Sequence, residues 1–139
     1  MRYILVILFM GLMLQASFVK ENNHVIDKDN GLSWQDSEAV ENPTMLYTEA
    51  VEYCKALKLD EQSDWRLPTL IELQTIVDLT RYEPALQRGF HFGLSKNYWS
   101  STLYADDKER AWQIDFKSGA SQDSRHSYDN NVRCVRSVK

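Results

Sequence analysis

Asp64-Trp65-Arg66-Leu67-Pro68-Thr69-Leu70-Ile71-Glu72-Leu73 is the stretch that decides the fold. Pro68 disfavours helix at Leu67, so Trp65-Arg66-Leu67 reads as a short extended run. Thr69 and Glu72 have the T-x-x-E spacing of a capping box. The Thr hydroxyl and the Glu carboxylate satisfy free amides where a helix opens. Leu70, Leu73, Ile76 and Val77 then recur at helical spacing and form its buried stripe. An extended segment passing into a capped helix, with Trp and Arg beside the junction, is a packed corner of a core.

On the N-terminal side, Tyr47, Ala50, Val51, Cys54 and Leu57 step by three and four, which predicts an amphipathic helix with Cys54 on its buried face. Before it, His24-Val25-Ile26 and Leu32-Ser33-Trp34 flank a turn ending in Asn30-Gly31, a strong hairpin signal. The segment 35–43 is polar and acidic and reads as a loop. On the C-terminal side, 79–96 carries Pro84, Gly89 and Gly93 among scattered aromatics and reads as a long packed loop. Strands are then expected at Tyr98-Trp99-Ser100-Ser101-Thr102, at Ala111 to Phe116, and, beyond a Lys117-Ser118-Gly119 turn, at Asn131 to Arg136. Two early helices and a mainly antiparallel sheet from the later half make an α+β domain.

The chain has 139 residues, four Trp, seven Tyr and a formal net charge of −4. That length holds one core. A globally acidic chain lacks the clustered cations that hold a phosphate backbone, so nucleic acid is not the expected partner. The opening MRYILVILFMGLMLQAS has one cation at Arg2, an apolar run from Tyr3 to Leu14, and the small residues Ala16 and Ser17. This is the order of a secretory signal peptide over 1–16, leaving a domain over 17–139 with its core at about 22–138. An uncleaved anchor is the alternative, and the one route to a membrane. Cys54 and Cys134 are the only cysteines. In a periplasmic or secreted protein such a pair reads first as a disulfide, with two separate buried thiols as the other reading.

Taken together, Gly31-Leu32-x-Trp34, Ala50-x-x-Tyr53-Cys54, Asp64-Trp65-Arg66-Leu67-Pro68-Thr69-x-x-Glu72-Leu73, Tyr98-Trp99-Ser100-Ser101 and Val132-Arg133-Cys134-Val135-Arg136 resemble the bacterial family named after the C-terminal domain of the collagen-like adhesin Lcl. The resemblance spans nearly all of the chain after the leader. It implies a C-type-lectin-like fold, more distantly similar to formylglycine-generating enzymes, and a recognition role, the adhesin being implied to bind sulfated glycans. This chain has no collagen repeat, so trimerisation through a stalk does not carry over. Glu83-Pro84-Ala85 lacks the third oxygen ligand of a calcium-lectin loop.

No metal or cofactor is expected. Asp27-x-Asp29-x-Gly31 places its glycine one position early for a calcium loop and lacks the closing Glu. His24, His91 and His126 have no partner at zinc spacing. A Ser100 or Ser101 nucleophile with His126 and Asp115 can be drawn, but nothing sets the serine on a nucleophile elbow, and Ser-Ser-Thr beside Trp99 reads as hydroxyls bonding backbone at a strand end. The family's oxidase relatives need a further thiol that this chain lacks. Trp65, Arg66, Leu67, Pro68, Thr69, Glu72, Trp99, Ser100 and Ser101 are therefore read as scaffold, and Trp112 as core alongside Ile114 and Phe116. The ligand candidates are Tyr104, Asp106, Asp107, Arg125, His126, Tyr128 and Asn130, exposed rings with polar neighbours that suit a sugar. The expected function is a non-catalytic exported module binding a glycan or an envelope or surface protein. A structural envelope protein is the alternative and a hydrolase the least favoured.

Overall fold

The computed structural model describes residues 17–138, so the leader read over 1–16 lies outside the described residues. The chain forms β1 (Phe18–Glu21), β2 (His24–Asp27), β3 (Leu32–Gln35), α1 (Tyr47–Ala56), α2 (Leu70–Gln74), β4 (Asn97–Tyr104), β5 (Asp107–Asp115), β6 (Ala120–Arg125) and β7 (Val135–Ser137). The α+β class and the two helices agree with the sequence. Two sheets replace the single one expected: β1-β2-β3-β7 and β4-β5-β6, with every strand pair antiparallel.

The β2–β3 hairpin closes where Gly31 takes φ +63°, a conformation glycine enters without a Cβ clash. The Asp27 carboxylate is fully buried and accepts from the Asn30 backbone and side-chain amides, so it pins this turn. The 35–43 segment is not simply a loop. Gln35 ends β3, Asp36 is fully buried, and Glu38–Val40 makes one turn of 3-10 helix.

α1 buries Ala50 and Cys54, with Tyr47, Val51 and Leu57 packed beside them. Cys54 is bonded to Cys134, their Cα atoms 5.5 Å apart, which ties the first helix to the residue preceding β7. The capping box forms as read: Thr69 Oγ1 accepts from Glu72 N–H and Glu72 accepts from Thr69 N–H. α2 stops at Gln74, one turn short of its apolar stripe. Leu73 and Ile76 are fully buried while Leu70 and Val77 pack at the edge of the core.

The core has two parts. One gathers Val25, Trp34, Leu73, Ile76, Tyr98, Ile114 and Phe116. The other gathers Met45, Cys54, Trp65, Leu67, Trp99, Ala111 and Val132 around the disulfide. Trp112 corrects the sequence reading, because it is only partly buried. The β4 register slips between Trp99 and Leu103, so no β4 residue stands opposite Trp112, and its ring meets Tyr104 edge-on at 5.6 Å. The final strand is also shorter than expected. Asn131 bridges to Tyr98 of the second sheet and Val135 begins β7 in the first, so 131–136 links the two sheets rather than forming one strand.

Candidate functional site

The scaffold motif explains the site's rigidity. Arg66 donates from both terminal nitrogens to the two Glu72 carboxylate oxygens at 2.6 and 2.7 Å, a bidentate pair that locks the extended run onto α2. Burial pushes the Glu72 carboxyl up. The Arg66 hydrogen bonds and the Thr69 amide outweigh it and hold the group below its ordinary range. Trp65 is buried and donates to Gln62 C=O, and Leu67 is buried beside it. Pro68 C=O accepts from Ser101 N–H, and Ser100 is fully buried and donates to Trp112 C=O at 2.7 Å. Trp99 is fully buried and donates to Met45 C=O. These contacts fasten β4, and through it β5, to α2.

A second anchor escaped the sequence reading. Arg133, 2% exposed, donates to Gln35 C=O and Phe92 C=O and pairs with Asp36 at 3.3 Å. Its guanidinium lies 4.8 Å from the Phe90 ring centroid. Asp36 also takes Lys20 Nζ at 2.7 Å and the His91 and Phe92 N–H groups. Burial raises the Asp36 carboxyl, but Lys20, the two amides and the Arg133 charge outweigh it and leave the group below its ordinary value. For Arg133, burial dominates and lowers the pKa. The 90–92 part of the long 79–96 loop is held by this cluster, while Glu83, Ala85 and Gln87 donate backbone N–H groups to the carbonyls of Lys117, Phe116 and Ile76. One early acid and one late base, 97 residues apart, gave no local signal.

At the free end of the β5–β6 pair, Asp107, Glu109, Arg110, Arg125, His126 and Ser127 line a groove of about 580 Å³. Of the seven ligand candidates, Asp107, Arg125 and His126 meet here. Arg110 stands directly opposite Arg125 in the register, an unfavourable placement for like charges. Arg110 is neutralised by Asp123 at 2.6 Å, whereas Arg125 is exposed and forms no ion pair among the described residues. His126 stacks on Tyr47 with ring centroids 4.0 Å apart and planes 14° from parallel, and Trp99 meets it edge-on. Its Nε2 is buried without a hydrogen-bond partner among the described residues. The imidazole is thus a fixed wall between the core and the groove.

The remaining candidates stand apart from this groove's lining. Asp106 and Tyr128 are exposed, Tyr128 to 59%. Tyr104 is half-buried against Trp112. Asn130 corrects the sequence reading outright: it is buried, its amide donates to Gln113 Oε1 at 2.8 Å, and its backbone pairs with Met45. It serves packing, not a surface. Glu109, Arg110 and Ser127 were missed because β6, Ala-Ser-Gln-Asp-Ser-Arg, has no apolar alternation and so no register could be read from the sequence. Among the described residues no group of three or more His, Cys, Asp or Glu is placed to hold a metal ion, and no helix is long and apolar enough to cross a membrane.

One family model, the Lcl C-terminal domain, matches residues 23–136. The chain belongs to the Lcl C-terminal domain family. Membership fits an adhesin-like surface module, and the disulfide is compatible with an exported domain. A search of curated proteins gave no significant match.

Proposed function

We propose that this chain is an exported, non-catalytic recognition module of C-type-lectin-like kind whose ligand is a glycan held in the β5–β6 groove. The observation that carries the reading is the convergence there of an unpaired Arg125, a paired Arg110, two carboxylates and an immobilised imidazole. Arg125 supplies hydrogen bonds to hydroxyl or anionic substituents, Asp107 and Glu109 accept from hydroxyls, and the fixed His126 wall keeps the groove in shape when empty, which lowers the ordering cost of binding. The lectin-like assignment is supported by the family match and by a long, side-chain-anchored loop beside a compact two-sheet core. Export is supported by the disulfide and the leader-like opening. The groove needs no metal in this reading, and Ser100, its hydroxyl donated to a backbone carbonyl, has a structural role.

The test is a glycan array probed with purified disulfide-bonded protein. Saturable binding is expected, weakened at least tenfold by Arg125→Ala and by Glu109→Ala, with unchanged thermal unfolding. A blank array, with the protein recovered instead in a stable crosslinked envelope complex, would establish the structural alternative.

A further inference from the structure

β6 is the last strand of its sheet, with β5 on one side and no strand on the other among the described residues. His126 N–H donates to Glu109 C=O, which fixes the alternation: the backbone groups of residues 124, 122 and 120 face β5, and those of Ser121, Asp123 and Arg125 face outward. The Arg125 carbonyl is taken by Tyr128 N–H. Both groups of Ser121, both groups of Asp123 and the Arg125 N–H are left to pair with an added strand.

Beside the start of this edge lies an apolar groove of about 260 Å³ lined by Gln74, Val77, Leu79, Gly119 and Ser121. Gly119 keeps it tight, since a Cβ there would come within 2.6 Å of Val77 and 3.1 Å of Leu79. Leu79 is 80% exposed and Ile71, on the same side of α2 as Gln74, is 76% exposed. An unpaired edge and an adjoining apolar groove are the two elements of strand-addition recognition: main-chain bonds give affinity and alternate side chains give specificity.

We infer that β6 is a docking edge for an extended segment of a partner protein, one that carries an acidic residue and, four positions further along, a large apolar residue. An antiparallel segment that sets its acid opposite Arg125, an exposed cation with no ion pair among the described residues, brings its fourth following residue opposite Ser121, on the same face and over the groove. The residue between them faces Asp123, whose carboxylate is already held by Arg110, and is small and neutral. A second copy of this chain does not fit. β6 contains no large apolar residue to fill the groove, and a two-fold pairing of Ser121 with Arg125 would set Asp123 against Asp123. This surface is independent of the glycan reading apart from sharing Arg125, which the test leaves untouched.

The probe is a fluorescein-labelled peptide Gly-Thr-Glu-Thr-Ser-Thr-Leu-Thr-Gly, titrated against the intact protein by anisotropy and by amide chemical shifts. Saturable binding is expected, with shifts concentrated at Ser121 and Asp123. Leu79→Ser removes an exposed apolar wall, and Ser121→Pro removes an outward N–H at an edge that tolerates proline. Each is expected to weaken binding at least tenfold while leaving the unfolding midpoint and any glycan-array signal in place. Absence of saturable binding, or binding retained in Leu79→Ser, overturns the inference. So does a dimer, seen by light scattering, that Ser121→Pro abolishes, because the occupant is then a second copy.

Discussion

Replacing Arg133 by Met tests the anchor that shapes the long loop. The substitution fills similar volume but deletes the hydrogen bonds to Gln35 and Phe92 and the ion pair with Asp36 at 3.3 Å. Hydrogen bonds to a charged group contribute about 1.5–3 kcal/mol each, and losing one member of a buried pair costs about 3–5 kcal/mol net. Asp36 keeps Lys20 and two backbone amides, so its charge is not abandoned and the lower part of that range, about 3 kcal/mol, applies. Urea unfolding followed by Trp fluorescence reads this as a lower midpoint at unchanged slope. Adding Asp36→Leu should cost less than the sum of the two single changes, because both single changes delete the same ion pair. A loss below about 1 kcal/mol for Arg133→Met, set against that expectation from buried pairs, or strict additivity in the double variant, would refute this account.

Asp36 also fixes an acid limb. Its folded pKa lies below the ordinary value, so its contribution is fully present above the unfolded pKa and is lost as pH falls through the folded one. Glu72 behaves in the same sense. Stability measured from pH 6 downward should therefore begin to fall near the ordinary carboxylate range and continue below it, and Asp36→Asn should flatten that limb. Replacing Cys54 and Cys134 together by Ser should cost about 4 kcal/mol in the chain-entropy account of an 80-residue loop, read by urea unfolding. Thr69→Ala removes the cap on α2 and should cost about 1 kcal/mol. Gly119→Ala should destabilise by about 1–3 kcal/mol, through the close contact with Val77 and the positive φ, and thermal unfolding measures it.

What was legible in the sequence was local. The T-x-x-E box, the Asn-Gly turn and the three-and-four spacing before Cys54 each specify their structure within a few residues, and each formed. The cysteine pair was legible because only two were present. What failed was long-range or polar. β1 follows directly on the apolar opening run of the sequence, so no boundary marked it. β6 shows no alternation because only Ser124 on it is buried. Without β6 there was no register to place Arg110 against Arg125 or to bring Glu109 and Ser127 beside His126. Asn130 looked like a surface residue because nothing nearby in sequence announces that its amide meets Gln113, 17 positions away.

The bridge between Cys54 and Cys134 has a mechanical meaning. Tension entering at β1 and leaving at β7 runs through β1, β2, β3 and α1 and then crosses the sulfur–sulfur bond, bypassing everything in between. α2, β4, β5 and β6 all lie within the bypassed segment. The load along the chain therefore falls on the first sheet and α1, and residues 55–133, which build the second sheet, carry none of it while the sulfur–sulfur bond holds.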